Sequence, residues 1–308
     1  MADPAPPSDP APPSRFVPDA RVGRGADPAD PCLVVAGRRL LVSADGGLPS
    51  VADLPASTEW VPLGSLDGTR VWAAGLPAVD DQLGGWRSWP AMAGELGEPL
   101  AALAGRALQV ITWRRTHRFC GACATELAEV PGEHARRCPG CDLYVPMQLS
   151  PAVLAAITRS PGPDGDELLL VRHTYGPTAV WALVAGFVEA GETLEEAVHR
   201  EVAEEVGLDV HEVDYFGSQP WAMSGPGVVL AGFTARAGPD AEPVVDGREI
   251  AEARWFALDD LPAELPATYS ISRWLIEHQR GGRGLAGQQG RASTAQQGRA
   301  STARSDRQ

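Results

Sequence analysis

Three glutamates lie close together in the segment REVAEEVG, residues 200–207. If the segment is helical, Glu201, Glu204 and Glu205 fall within an arc of roughly 100°. Like charges four residues apart on an isolated helix repel by about 0.2 to 0.5 kcal/mol. Such crowding is typical either of a solvated acidic face or of a site that binds a cation.

Four cysteines form a second group of potentially reactive or metal-binding residues. They follow the pattern C-x2-C-x14-C-x2-C: Cys120, Cys123, Cys138 and Cys141. Two such pairs on turns can place four thiolates about 2.3 Å from one ion, as in closed structural zinc sites. A redox C-x-x-C is the main alternative, but it would leave the second pair unexplained. Because four thiolates leave no position for water, this zinc is expected to support folding and not hydrolysis. The remaining Cys32 is expected to be a buried structural thiol.

Basic residues surround the cysteine pairs: Arg114, Arg115, His117, Arg118, Arg136 and Arg137. Zinc ribbons often bind nucleic acid. A binding module is therefore a second class of function that these residues leave open.

A helix over residues 193–207 would position the glutamates. Thr193 is a suitable N-cap, and Glu196 three residues later completes a capping box. Gly207 stands where a C-terminal glycine ends a helix. An apolar ridge borders the acidic arc: Leu194, Val198, Val202 and Val206. Since a merely solvated face should point away from the core, the pattern favours a cation site at the edge of the protein.

The segments at the two ends have polar, low-complexity composition. Residues 1–31 are rich in Pro, Ala, Asp and Gly without apolar periodicity, so we expect them to be mostly disordered. Residues 281–308 contain the octapeptide QQGRASTA twice, which is typical of a tail and not of a solenoid.

The central chain is predicted to hold three parts. Residues 32–114 combine the strand-like CLVVAGRRLLVS and TRVWAAGL with a helical apolar pattern, which predicts a small α+β domain. Residues 115–149 would form a zinc ribbon. Residues 150–280 would form the catalytic domain, with buried strands at 168–173 and 181–187 ahead of the acidic helix.

Charge and hydropathy narrow the classes of function. The 308-residue chain has a net charge of -14 and a pI near 4.9, so general attraction to nucleic-acid backbones or anionic membranes is not indicated. It contains no run of about 18 apolar residues and no signal-peptide pattern, so we expect a cytoplasmic protein without membrane partners.

The wider spacing around the acidic helix matches a known motif. Gly186, Glu192 and REVAEEVGL satisfy G-x5-E-x7-R-E-U-x-E-E-x-G-U, in which U is apolar. The segment resembles the Nudix hydrolases, which cleave diphosphates joined to another moiety. The resemblance implies an α/β Nudix fold with a mixed sheet between helices, and Mg²⁺ or Mn²⁺ bound by the glutamates of the box. Hard cations take oxygen ligands and can neutralise a pyrophosphate before water attacks phosphorus.

A second motif, SQPWAM at 218–223, follows the box. SQPW resembles the signature of the NADH pyrophosphatase branch, which also has a four-cysteine ribbon and an extra N-terminal domain. That signature normally continues as PFPxS, whereas this chain reads AMSGPG. In the family, this stretch lines the pocket for the dinucleotide. The altered sequence could therefore change which substrate is preferred, but it does not change the type of reaction. The segment YVPMQLSP after the last cysteine is a smaller departure.

The resemblance assigns metal ligands and a catalytic group. Glu201 and Glu205 are expected to bind the divalent cations together with Glu249 and the backbone carbonyl of Ala185. Glu204 is expected to be a further ligand or to help activate water.

Other positions of the motifs also receive roles. Arg200 is expected to orient a box glutamate through a bidentate salt bridge, because its fork suits a carboxylate. Gly186, Glu192 and Gly207 complete the box. The positions expected to border the nicotinamide half are Gln219, Pro220, Trp221, Ala222, Met223, Ser224, Gly225 and Pro226. Trp221 fits core packing equally well, and Ser272 aligns with a position that contacts substrate.

The resulting hypothesis is metal-dependent hydrolysis of NAD(H) to nicotinamide mononucleotide and AMP, in a homodimer as the family suggests. Removal of NAD caps from RNA, or cleavage of ADP-ribose or another nucleotide diphosphate, is an alternative within hydrolysis. The alternative of another class is a zinc-ribbon protein whose Nudix domain only senses a nucleotide. An inactive sensor would be expected to have lost box glutamates, and this box is complete.

Overall fold

The computed structural model describes residues 16–281 apart from 22–23, 44–45, 96–97, 163–164, 177–178, 224–226 and 246. The chain forms two compact units. One comprises residues 1–149 and 222–227, and the other comprises residues 150–221 and 228–308. Within the part of the chain that is described, no helix has the length and apolar character needed to cross a membrane.

The first unit contains a six-stranded sheet. Its strands are β1 (Phe16–Pro18), β2 (Cys32–Ala36), β3 (Arg39–Val42), β4 (Val61–Leu66), β5 (Thr69–Leu76) and β6 (Gly85–Ser88). The order across the sheet is β1-β4-β5-β2-β3-β6, and of these strands only β2 and β5 run parallel. Two helices follow, α1 (Trp89–Glu95) and α2 (Glu98–Thr116). The strands predicted from CLVVAGRRLLVS and TRVWAAGL are confirmed as β2, β3 and β5.

The prediction that residues 1–31 are mostly disordered is wrong for the second half of that segment. Strand β1 pairs with β4. Asp30 is only 5% exposed and accepts a hydrogen bond of 2.8 Å from the indole N–H of Trp72. Arg24 forms an ion pair of 2.7 Å with the same carboxylate. Residues 1–15 and 282–308 lie outside the described residues, so the rest of the predicted tails stays a prediction.

A small three-stranded sheet follows α2, made of β7 (Ala128–Glu129), β8 (Ala135–Arg137) and β9 (Tyr144–Pro146). The end of α2 packs on this sheet. His117 stacks on Trp113 with ring centroids 5.5 Å apart, and Arg136 donates a hydrogen bond of 2.5 Å to the carbonyl of His117. The position of the cysteine-bearing segment is thereby fixed to the helix that precedes it.

The second unit is built on a mixed sheet. Its strands are β10 (Ser150–Arg159), β11 (Glu167–His173), β12 (Val184–Phe187), β13 (Val210–Trp221), β14 (Val228–Ala237) and β15 (Ile250–Ala257). Their order is β13-β14-β10-β11-β15, and β12 pairs with β10 on a separate branch. Of these strands, only β10 and β14 are parallel. The strand predicted at 181–187 begins at Val184, after a single bridge between Ala182 and Val171.

Helices cover both faces of this sheet: α3 (Leu194–Val206) and α4 (Ile271–Gln279). Alternate residues of β10 divide between them. Val153 and Ile157 belong to the core under α3, whereas Leu154 belongs to the core under α4. The α/β architecture implied by the Nudix resemblance, a mixed sheet between helices, is confirmed.

Candidate active site

Helix α3 begins and ends where its sequence predicts. The side chain of Thr193 accepts a hydrogen bond of 3.1 Å from the amide of Glu196, and the Glu196 carboxylate accepts one of 2.7 Å from the amide of Thr193. Gly207 ends the helix in the left-handed conformation, with φ of 65°. Val198, Val202 and Val206 are buried beneath the helix. The acidic face is thus held at a fixed angle to the sheet.

Glu201 occupies space that Gly186 leaves open. A Cβ atom built on Gly186 would lie 1.9 Å from the carboxyl carbon of Glu201 and 2.1 Å from each of its oxygens. Gly186 follows Ala185 in β12, the strand that pairs with β10. The absence of a side chain at this position therefore lets the carboxylate lie against the backbone of β12.

Arg200 connects the loop before α3 to the glutamates of the helix. Its guanidinium contacts both oxygens of Glu192, at 2.5 and 3.0 Å. It also reaches Glu201 at 2.8 Å and Glu204 at 3.1 Å. A further hydrogen bond of 2.8 Å goes to the carbonyl of Phe187. The predicted bidentate salt bridge thus involves Glu192, and the same arginine restrains Glu201.

These contacts change the acidity of the groups they join. Hydrogen bonds from Arg200 and from the amide of Glu189 hold the pKa of Glu192 below its usual value. The carboxylates of Glu192, Glu201 and Glu204 raise the pKa of Arg200, so its charge is permanent. Burial raises the pKa of Glu201, and this effect exceeds the opposing effect of its ion pair with Arg200. The fold therefore opposes the negative charge of Glu201 unless a further cation is present.

The other predicted metal ligands occupy different environments. Glu205 is 4% exposed, whereas the side chain of Glu204 is 61% exposed. Glu249 lies on the surface just before β15, close enough to contribute to the electrostatic potential at Glu201. Among the described residues, only the four cysteines bring three or more candidate ligand atoms within 4.8 Å of one another. The glutamates share one region without converging to that distance.

Gln219 has a structural connection that sequence reasoning did not reveal. Its amide nitrogen donates a hydrogen bond of 2.7 Å to the carbonyl of Tyr269, and its oxygen accepts one of 2.9 Å from the amide of Ile271. Both partners lie at the start of α4, the helix that contains Ser272. The Ser272 hydroxyl is buried and has no hydrogen-bond partner among the described residues. Gln219 therefore fixes the position of Ser272.

The remaining positions of the predicted substrate segment divide between the two units. Pro220 and Trp221 end strand β13 in the second unit, with Pro220 exposed and Trp221 partly buried. Ala222 and Met223 belong to the first unit, and Arg38 donates a hydrogen bond to the carbonyl of Met223. Ser224, Gly225 and Pro226 lie outside the described residues.

Tyr175 is a neighbour of the acidic cluster that the motifs did not indicate. Partial burial of its phenol group and the carboxylates of Glu205, Glu249 and Glu201 raise the pKa of Tyr175. The residue is 59% exposed, and its ring lies 5.2 Å from the ring of His173, between centroids. A tyrosine just past the end of a buried strand is the signal that could have identified it.

The four cysteines lie on two turns that have the same backbone conformation. The amide of Ala124 bonds to the carbonyl of Cys120 at 2.8 Å, and the amide of Asp142 bonds to that of Cys138 at 2.9 Å. Ala124 and Asp142, each directly after the second cysteine of a pair, have φ of 59° and 61°. These left-handed residues turn the chain so that each pair points its two sulfurs the same way.

The sulfurs of the two pairs meet. Cys123 lies 3.3 Å from Cys138 and 3.6 Å from Cys141, and Cys120 lies 3.6 Å from Cys141, between sulfur atoms. Hydrogen bonding with Thr125 lowers the pKa of Cys123 to about 6, which favours the thiolate. Four soft donors converging in this way fit one tetrahedral zinc ion.

Comparison with known proteins agrees with this geometry. Residues 148–275 match the model of the NUDIX domain, and residues 115–145 match the NADH pyrophosphatase zinc ribbon domain. A protein of Deinococcus radiodurans named NAD-capped RNA hydrolase NudC is 41% identical over 266 residues, covering 85% of this chain and 91% of that protein. The chain belongs to the NADH pyrophosphatase family of Nudix hydrolases. Its members are pyrophosphohydrolases, and this chain is one of them.

Relatives in other bacteria carry the same name. The NAD-capped RNA hydrolase NudC of Pseudomonas fluorescens is 41% identical over 227 residues, covering 73% of this chain and 78% of that protein. That of Pseudomonas syringae pv. tomato is 45% identical over 174 residues, covering 56% of this chain and 59% of that protein. The resemblance to this family seen in the sequence is confirmed.

Proposed function

We propose that this protein hydrolyses the pyrophosphate bond of NAD(H), giving nicotinamide mononucleotide and AMP. The observation that carries the proposal is the contact between Gly186 and Glu201, which places a buried carboxylate against the backbone beside Ala185. Membership of the NADH pyrophosphatase family supports the choice of substrate. The complete set of box glutamates supports catalysis over nucleotide sensing, because a sensor has no use for a base beside its metal ligands.

The residues of this region fit a hard divalent cation. Every candidate donor is oxygen: the carbonyl of Ala185 and the carboxylates of Glu201, Glu204, Glu205 and Glu249. Oxygen donors suit Mg²⁺ and Mn²⁺. The space at Gly186 admits the Glu201 carboxylate, and burial leaves that charge in need of a cation. When bound, the metal would neutralise the charge that develops on the phosphoryl oxygens, which contributes several kcal/mol.

The side chains of the chain itself have distinct tasks in this proposal. Arg200 keeps Glu192 and Glu201 in place through charge-assisted hydrogen bonds and need not touch substrate. Glu204 has the most exposed carboxylate of those that Arg200 contacts, so it is the group best placed to take a proton from the attacking water. Its 3.1 Å contact with Arg200 limits where that carboxylate can lie. Gln219 anchors the start of α4, the helix that carries Ser272, to the strand that contains SQPW.

NAD-capped RNA is a second candidate substrate, since the relatives that match most of this chain are named for that activity. The chemical step would be the same, because the cap contains the same pyrophosphate. One experiment separates the substrates: purified protein with Mg²⁺ or Mn²⁺ is incubated with NADH, NAD⁺, ADP-ribose and NAD-capped RNA, and the products are identified by mass spectrometry. Release of AMP and reduced nicotinamide mononucleotide from NADH supports the proposal, and cleavage of ADP-ribose alone would contradict it.

We further propose that the four cysteines hold a structural zinc ion. This assignment rests on the converging sulfurs and on the match to the ribbon domain.

We also propose that the protein is a cytoplasmic homodimer. The proposal of a dimer rests on the family alone. Light scattering of the purified protein tests it, and a mass near 65 kDa, about twice that of the 32.5 kDa chain, would support it.

A further inference from the structure

The first unit contains a cavity of about 370 Å³ that none of the Nudix-box glutamates lines. Its walls come from four places in that unit: the turn between β2 and β3, the junction of β6 with α1, the last turns of α2, and residues 222–223. This volume lies near the lower end of the range for small-molecule sites, which suits a ligand the size of one nucleotide.

One wall of the cavity is apolar and rigid. Trp89, Pro90 and Leu108 form it. Trp89 is 4% exposed, and its indole N–H donates a hydrogen bond of 2.9 Å to the carbonyl of Ala101, which fixes the orientation of the ring. The small part of this apolar surface that faces the cavity suits the edge of a base.

Two arginines also line the cavity. Arg38 donates a hydrogen bond to the carbonyl of Met223, and Arg115, on α2, is the second arginine of the lining. Neither forms an ion pair with a carboxylate in the part of the chain that the structure describes, whereas the nearby Arg114 and Arg118 pair with Glu129 and Glu126. Two guanidinium groups that lack a carboxylate partner among the described residues thus line one cavity, in a chain with a net charge of -14. They match the charge and the fork geometry that a phosphate requires.

We propose that this cavity binds one nucleotide of an RNA chain, with its base on the Trp89 wall and its phosphate on Arg38 and Arg115. The proposal rests on the proposed function, because the RNA behind an NAD cap needs a site on the protein. The chain also links the cavity to the substrate segment: Ala222 and Met223 in its wall directly follow Trp221, the last residue of the strand that carries SQPW. A free nucleoside monophosphate offers the same chemistry, so the test includes both ligands.

The binding test uses a single-stranded RNA with a 5′-hydroxyl end and a 3′ fluorescent label, which contains no pyrophosphate bond to hydrolyse. Fluorescence anisotropy is measured over a range of salt concentrations for the wild type and for the double variant R38Q/R115Q. We expect about tenfold weaker binding, and a salt slope that is smaller by about 0.7 for each phosphate that the variant no longer neutralises. Unfolding alone would not change the slope in this way. Arg115→Gln by itself keeps the test valid if the double variant is unstable, because the Arg115 side chain makes no hydrogen bond to another described residue.

Arg118→Gln is the matched control, since it removes the same charge from an exposed arginine nearby. The proposal is overturned if R38Q/R115Q binds RNA like the wild type, or if Arg118→Gln weakens binding to the same extent. It is also overturned if AMP competes as strongly as the RNA while hydrolysis of capped RNA is unchanged, because the cavity would then serve a free nucleotide.

Hydrolysis assays separate this proposal from the proposed function. In Arg115→Gln, which leaves the bond between Arg38 and Met223 intact, we expect NADH turnover to stay at the wild-type level and KM for NAD-capped RNA to rise several-fold. If the wild type hydrolyses neither substrate, the proposed function fails. The anisotropy measurement then still decides whether the cavity binds RNA.

Discussion

The Glu201 carboxylate occupies the space that a side chain at position 186 would need, so position 186 has to be glycine. A Cβ on Gly186 would come within 2.1 Å of both carboxylate oxygens of Glu201, far inside van der Waals contact. The first glycine of the motif is therefore explained by a carboxylate on the helix that follows it. The glycine gives Glu201 its place against β12.

The substitution Gly186→Ala tests this relationship. The added methyl group should displace the Glu201 carboxylate and lower kcat for NADH about 100-fold, since a small misplacement of a catalytic group is costly. Gly217→Ala in β13 is the control, because a Cβ at Gly217 meets no atom within 4 Å. Equal activity of the two variants would show that the position of Glu201 does not matter.

Arg200 should not be replaceable by lysine. A lysine keeps the charge but cannot contact Glu192, Glu201 and the carbonyl of Phe187 together, as the guanidinium does. We expect Arg200→Lys to lower kcat about tenfold or more, and to reduce the free energy of unfolding by about 1 to 3 kcal/mol. Arg273→Lys, which changes an ion pair with Glu277 on α4, is the control. Wild-type kinetics in Arg200→Lys would refute the positioning role.

Zinc content should depend on the four cysteines and not on the fifth. Cys138→Ser removes one of the converging sulfurs, so we expect less than stoichiometric zinc by elemental analysis and a lower melting temperature. Cys32→Ser should retain one zinc per chain, because Cys32 is buried in the core of the other sheet of the first unit. Full zinc occupancy in Cys138→Ser would contradict the four-cysteine site.

Asp30 should make stability depend on acid pH. Its ion pair with Arg24 and the hydrogen bonds from Asp27 and Trp72 lower the pKa of Asp30 from 3.8 to about 2. Because the folded-state pKa lies below the unfolded value, this contribution is complete above about pH 4 and is lost as pH falls towards 2. Asp30→Asn should reduce the free energy of unfolding at pH 7 by about 1 to 2 kcal/mol and flatten its decrease below pH 4. Parallel unfolding curves for variant and wild type over pH 2 to 7 would contradict this.

Residues 1–31 show that amino-acid composition alone does not predict which residues are ordered. Their Pro-rich and Ala-rich sequence predicts disorder, yet Asp30 contacts Trp72, which is 42 residues further along the chain. A single long-range contact leaves no periodic signal. Truncation before residue 16 should be neutral, whereas truncation through residue 31 should destabilise the protein.

The candidate site shows the same division between local and long-range information. The capping box of Thr193 and the left-handed Gly207 follow from local rules, and both could be predicted. The use of Gln219 as the anchor of α4 could not, because its partners lie 50 and 52 residues away and only the folded sheet brings them together. The separation of the glutamates into buried and exposed groups likewise depends on how α3 packs on β12.

The most direct test of the account is a pair of measurements on Glu201→Gln. We expect metal-dependent hydrolysis of NADH to fall about 100-fold or more, because a ligand for the charge-neutralising cation is removed. We also expect the metal-free protein to keep its free energy of unfolding, or to gain a few tenths of a kcal/mol, because burial already opposes the charge of Glu201. Glu195→Gln, which changes an exposed glutamate in the first turn of the same helix, should leave turnover unchanged. Near wild-type turnover in Glu201→Gln would contradict the metal site and the mechanism built on it.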